Sequence, residues 1–86
     1  MTKSEIKTDV KSFILNEFLP GENPENLPDS MELITTGILD SLATLRLVAY
    51  LEETYRIEVA PHELHAGHLN TIASIAKFVG SKQAYA

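Results

Sequence analysis

Asp40-Ser41-Leu42 is the stretch of this chain best suited to chemistry. Ser41 stands where a long polar segment gives way to an amphipathic helical pattern. A serine at such a junction has its hydroxyl beside the free backbone N–H groups of the first helical turn. It can cap the helix. It can also hold an anion, because those N–H groups and the helix dipole favour negative charge, and a phosphate ester on Ser41 would be well placed. Three other constellations compete with it. His62, His65 and His68 recur at intervals of three, and three imidazoles can bind a metal. Gly67 interrupts the helix that would align them, so they are expected to be structural or solvated and no metal site is expected. Ser41 with a histidine and an aspartate suggests a hydrolase triad, but the G-x-S-x-G elbow is missing. The acidic segment from Glu22 to Asp40 lacks the alternating ladder of a calcium loop. No catalytic residue is therefore assigned.

Four helices must position Ser41, at about 3–18, 41–55, 61–66 and 71–80. Thr2 and Glu5 have capping-box spacing. Ile6, Val10, Phe13, Ile14 and Phe18 form one stripe at helical intervals, and Pro20-Gly21 ends that helix. From Gly21 to Asp40 no period persists, and Pro24, Pro28 and Gly37 break the chain. A loop of this length in a small domain is often functional. Leu27, Met31, Leu33, Ile34, Ile38 and Leu39 can pin it to the core, with room for a helical turn around 29–33. On the second helix Thr44, Leu47, Val48, Leu51 and Tyr55 make an inward stripe. Leu42, Leu45 and Ala49 make a second one, turned toward the loop and solvent. Two stripes on one helix suggest packing on one side and a partner on the other; burial on both sides is the plainer alternative. Tyr50 and Tyr55 are expected in the core. Arg56 to Ala60 is a connector. Pro61 opens a short third helix that Gly67 stops. Asn70 or Thr71 caps the last helix, where Ile72, Ile75, Ala76 and Val79 form the stripe, Gly80 ends it and the tail frays. No repeat or domain boundary is evident, so one domain is expected over 1–86.

The 86 residues suffice for a single small core, one that buries about 60–65% of the unfolded surface. Without Cys there is no disulfide, thiolate metal site or cysteine nucleophile. No apolar run approaches the roughly 20 residues of a membrane span, and the charged first residues lack a secretory signal's apolar segment, so a cytoplasmic protein is expected. The net charge is −5, and between residues 12 and 70 ten acidic residues face only Arg46 and Arg56. Such a surface repels nucleic acid and steers basic protein patches toward it.

Thr36-Gly37-Ile38-Leu39-Asp40-Ser41-Leu42, followed by Leu47-Val48-Ala49-Tyr50-Leu51-Glu52-Glu53, resembles the acyl carrier and peptidyl carrier proteins. The tripeptide alone is common; in this order of elements, across nearly the whole chain, it is specific. The resemblance implies an all-α, four-helix carrier bundle with a long loop between helices 1 and 2 and a short helix 3. It implies that a phosphopantetheinyl transferase attaches 4′-phosphopantetheine from coenzyme A to Ser41, with Asp40 and Leu42 flanking the site and Asp40 assisting the transferase. The arm's thiol would then carry an acyl or aminoacyl thioester, supplying the sulfur that a chain without Cys lacks. Helix 2 is the family's recognition helix, which implies a partner surface of Leu45, Arg46, Ala49, Glu52 and Glu53, together with Asp40 and Leu42. Fatty-acid carriers usually bear acids two and five residues after the modified serine, where this chain has Ala43 and Arg46. The resemblance thus points to a specialised, discrete, monomeric, non-catalytic carrier served by a loading ligase and downstream synthases. Alternatives are a housekeeping fatty-acid carrier and a carrier-like interaction subunit that shuttles no acyl group.

Overall fold

The computed structural model describes residues 3–83. Four α-helices form: α1 over Lys3–Phe18, α2 over Ser41–Tyr55, α3 over Ala66–Leu69 and α4 over Ile72–Gln83. Two 3₁₀ turns, Pro24–Asn26 and Pro61–Glu63, lie in the connections, and there is no strand among the described residues. The fold is all-α, with a long loop between α1 and α2. The capping box involving Thr2 falls outside the described residues.

The core follows from helical periodicity. Ile6, Val10 and Ile14 of α1, Leu47 and Leu51 of α2, and Ile72, Ile75, Ala76 and Val79 of α4 are all buried in one cluster. Each buried Leu or Ile contributes about 1.5–3 kcal/mol of transfer free energy, so a handful of such positions per helix commits each element to one face. α1 lies against both α4 and α2, and α3 lies against α4. Phe13 stacks on Tyr50 with centroids 4.2 Å apart. The Tyr55 hydroxyl donates to Asp9 Oδ2 at 3.2 Å, so one aromatic seam joins α1 to α2. Thr44, expected in the inward stripe, is only half-buried, and Ala43 is buried instead. The inward face is therefore rotated slightly about the helix axis, toward Ala43 and away from Thr44.

The loop is held by a few deep anchors. Leu27, Leu33 and Leu39 are fully buried, while Met31, Ile34 and Ile38 pack partly against them. Its 3₁₀ helix lies at Pro24–Asn26 and not around 29–33, and a further turn follows at 32–37, where the Thr36 N–H donates to the Glu32 carbonyl at 3.0 Å. The Asn23 side chain accepts from the Glu25 N–H at 2.9 Å to cap the 3₁₀ helix, and Pro24 supplies a first position that needs no donor. At Pro28–Met31 there is a single tight turn, with the Met31 N–H donating to the Pro28 carbonyl.

Two helix boundaries differ from the sequence expectation. The third helix does not run over 61–66. Pro61–Glu63 forms only a 3₁₀ turn, closed when the Glu63 carboxylate accepts from the Ala60 N–H at 2.9 Å. Leu64 and His65 leave the helical region, and α3 starts at Ala66. Gly67 lies inside α3 and does not stop it. It lacks the left-handed φ of a helix-ending glycine, and the His65 ring lies 2.9 Å from where a Cβ on residue 67 would stand. The last helix passes through Gly80, which lacks the positive φ of a helix-ending glycine, and continues to Gln83. A 2.6 Å ion pair between Lys82 and Glu63 fixes its final turn. Lys82 and the Ala60 N–H hold the Glu63 carboxyl below the usual carboxylate range.

Candidate functional site: the start of the second helix

The loop delivers Ser41 to solvent as the first residue of α2. Gly37 turns the chain at φ 83°, a left-handed conformation that glycine adopts without cost. The Leu39 N–H then donates to the Leu33 carbonyl at 2.9 Å. With both leucines buried, residues 33–39 close into a compact loop that ends beside the serine.

Ser41 does not cap the helix. The cap is Asp40, whose backbone is extended (φ −80°, ψ −175°) and whose Oδ1 accepts from the Ala43 N–H at 2.8 Å. An aspartate satisfies a free helix-end donor and also places negative charge at the positive end of the dipole. This corrects the serine-cap reading and sharpens its chemical consequence. With capping done by Asp40, the exposed Ser41 hydroxyl is free to be modified.

The ground around Ser41 is partly apolar. Leu42 and Leu45 are 62% and 56% exposed, the most exposed large hydrophobic side chains among the described residues. A broad open groove of about 600 Å³ runs past Ser41 between Thr44 and Leu45 on one bank and Leu64 and Ala66 on the other. A smaller depression of about 170 Å³ is lined by Phe18, Asp40, Leu42, Ala43 and Arg46. An exposed hydroxyl at a helix start, flanked by apolar surface, fits a phosphodiester-linked arm: the helix start suits the phosphate and the groove suits the chain beyond it.

The other site residues identified from the sequence are distributed as follows. Leu42, Leu45, Arg46, Ala49 and Glu53 are exposed on α2 at spacings that share one helix face. Arg46 Nη1 lies 3.9 Å from Glu17 Oε2 on α1, a long, exposed ion pair that contributes well under 1 kcal/mol but aims the guanidinium toward α1. Glu52 is half-buried and its Oε2 accepts from the Val59 N–H at 2.9 Å, so it secures the connector after α2 rather than standing free. His65 and His68 pair with ring centroids 4.3 Å apart, and His68 stacks on Phe78 at 4.5 Å. Among the described residues no three His, Asp or Glu side chains gather as a possible metal site.

Sequence reasoning missed one residue of the site. Asn70 does not cap α4. Thr71 does, accepting from the Ser74 N–H at 3.0 Å. Asn70 instead reaches the serine loop: its Oδ1 accepts from the N–H groups of Ile34 at 2.9 Å and Thr35 at 3.3 Å, and its carbonyl accepts from Leu33. Some 35 residues of chain separate these partners, so no local pattern signals them.

A small all-helical fold that presents an uncapped serine at the start of its second helix is the architecture of a carrier protein. Residues 18–79 match the family model for the phosphopantetheine attachment site, and the chain belongs to that family of acyl and peptidyl carriers, whose members bear a covalent 4′-phosphopantetheine. It is 28% identical to an acyl carrier protein of Chlamydia muridarum (strain MoPn / Nigg) over 78 residues, covering 91% of this chain and 96% of the relative. Its fold is similar to the solved structure of apo KstB-PCP, with TM-score 0.68 and 25% identity over 93% of this chain and 88% of that one. Proteins of this family interact with phosphopantetheinyl transferases and synthase enzymes. No helix among the described residues is long and apolar enough to cross a membrane.

Proposed function

We propose that this chain is a discrete acyl or aminoacyl carrier bearing its 4′-phosphopantetheine on Ser41, and that it shuttles thioester cargo between the enzymes of a specialised biosynthetic pathway. The observation that carries this is the division of labour at the start of α2. Asp40 caps the helix, so Ser41 keeps an exposed hydroxyl in the field of the first-turn N–H groups. When attached, the arm supplies a thiol for thioester chemistry. The chain's own residues do the rest. Ser41 provides the attachment oxygen, Asp40 presents a carboxylate to the transferase and its metal ion, and Leu42, Leu45, Arg46, Ala49 and Glu53 form the face that successive enzymes approach. The carrier performs no catalysis itself. Its partners are a phosphopantetheinyl transferase, a loading ligase and downstream synthases. It acts as a monomer in the cytoplasm, where coenzyme A is available.

Two features favour a specialised role. Position 43, where fatty-acid carriers usually bear an acid, is a buried alanine, so the first partner-facing charge is missing, and Arg46 inverts the second. Likeness to KstB-PCP points the same way. Likeness to the chlamydial acyl carrier protein supports the second reading, a housekeeping fatty-acid carrier. Intact-protein mass spectrometry after incubation with coenzyme A and a broad-specificity transferase tests the attachment. The native chain should gain one phosphopantetheinyl group and Ser41→Ala none. An adduct that survives Ser41→Ala would overturn the assignment. Elongation of the holo form by general fatty-acid synthase components, and by nothing else, would favour the housekeeping role.

A further inference from the structure

We infer that Asn70 is a positioning residue for the modification of Ser41, acting as a clamp that sets the serine loop and α3 in fixed relation. This rests on Ser41 being the attachment site and adds how the fold presents it.

Asn70 is the residue at which α3 ends. From that point it makes four contacts with the loop that leads to Ser41. Its backbone carbonyl accepts from the Leu33 N–H. Its Oδ1 accepts from the N–H groups of Ile34 and Thr35, and its Nδ2 is 3.4 Å from Thr35 Oγ1. In the other direction its own N–H donates to the Ala66 carbonyl at 3.0 Å, closing α3. Leu33 passes the constraint forward, because its carbonyl accepts from the Leu39 N–H immediately before Asp40. One side chain thus satisfies two backbone donors in a loop that lacks regular structure, where they would otherwise depend on water.

The geometry of the groove beside Ser41 follows from the same clamp. One bank carries Ile34, Leu39 and Leu45, and the other carries Leu64 and Ala66. Ile34 is bonded to Asn70 directly, and Ala66 is bonded to it through α3. Leu33 and Leu39 pack into the cluster that also holds Leu69, and the Ala73 N–H donates to the Asp29 carbonyl farther back in the loop, but the bonds of Asn70 are the ones that set residues 33–35 in register against α3. A transferase that must meet both Ser41 and its surroundings needs the loop in one register. Loss of the clamp should therefore weaken productive encounter more than it slows the chemical step.

The test is steady-state kinetics of a phosphopantetheinyl transferase with the full chain as variable substrate, at a temperature where every variant is folded by circular dichroism. Asn70→Ala should raise KM for the carrier roughly three- to tenfold with kcat nearly unchanged, the scale expected from two lost hydrogen bonds to the loop. Asn70→Asp keeps both accepting interactions and should restore KM to within about twofold. Asn70→Gln keeps the amide but moves it by one methylene, and it should raise KM as alanine does. If Asn70→Ala does not fold, the Gln and Asp pair decides the matter alone. Val79→Ala, a core truncation on α4 that removes no hydrogen bond to the loop, serves as the control for lost stability and should leave KM unchanged. Equal KM values for the native, Gln and Ala forms, or a rise in KM for Val79→Ala as large as theirs, would overturn the positioning role. Modification that persists in Ser41→Ala would instead overturn the attachment assignment, whatever Asn70 does.

Discussion

At the scale of single residues, the start of α2 separates two tasks that one aspartate and one serine share. Asp40 Oδ1 holds the Ala43 N–H, which is a neutral acceptor's job as much as a charged one's. Its negative charge is a second, separable property. Substitution resolves them. Asn is as good an N-cap as Asp, whereas Ala is not. Asp40→Asn should therefore unfold within a few tenths of a kcal/mol of the native chain, and Asp40→Ala should lose about 1 kcal/mol. If the carboxylate assists the transferase, both variants should be modified more slowly and to a similar degree despite their different stabilities. Thermal denaturation followed by circular dichroism, set beside initial rates of modification, checks this. Rates that track stability, with Asn behaving as native, would leave Asp40 as a cap and nothing more.

At the scale of elements, what was legible depended on how local the cause was. The stripe Ile6, Val10, Ile14 and the pattern Leu47, Val48, Leu51, Tyr55 each lie within one helix, and the buried faces of α1 and α2 follow them. The second stripe of Leu42 and Leu45 is equally visible in the sequence, and their exposure selects a solvent-facing surface over burial on both sides. The rest was less legible. Gly67 reads as a helix stop, yet it lies inside α3 and does not take the left-handed φ that ends a helix. Gly80 reads as the end of α4, but it lacks a positive φ and the helix runs on to Gln83, where Lys82 pairs with Glu63 of the connector. Of the two cap candidates for α4, Thr71 is the cap; the role of Asn70 carries no local signal, since its partners are far along the chain. The end of α2 shows another unsignalled feature: Arg56 takes the left-handed C-terminal position, φ 54° and ψ 51°, without being glycine. A side chain there carries a steric cost of roughly 1–2 kcal/mol, part of which glycine returns as unfolded-state entropy. Arg56→Gly should therefore stabilise the chain by about 0.5–1 kcal/mol, measured as a higher urea midpoint with an unchanged m-value.

At the scale of the whole molecule, the bundle is joined across α1 and α2 by an aromatic seam whose two tyrosine hydroxyls, of Tyr50 and Tyr55, both reach Asp9. Tyr55 is only 6% exposed, its O–H donates to Asp9 Oδ2, and Tyr50 meets it edge-on at 6.4 Å. Burial first, then the neighbouring Tyr50 and the Asp9 carboxylate, push the Tyr55 pKa well above its ordinary 10.0. The neutral phenol is therefore the form that the folded state favours. In the unfolded chain Tyr55 loses its proton near pH 10, while in the native bundle it keeps it to higher pH. Above about pH 10 the folded state thus binds more protons than the unfolded one, and stability must fall as pH rises. Below that point both states hold the proton and the full contribution is present. Tyr55→Phe should lower stability at neutral pH by about 1 kcal/mol through the lost hydrogen bond, while removing this residue's share of the alkaline decline. Melting temperatures of the two chains should accordingly converge as pH is raised from about 9 to about 11. Parallel curves over that range would show that Tyr55 ionises as easily in the bundle as in the unfolded chain, and the seam would then owe its strength to ring packing alone.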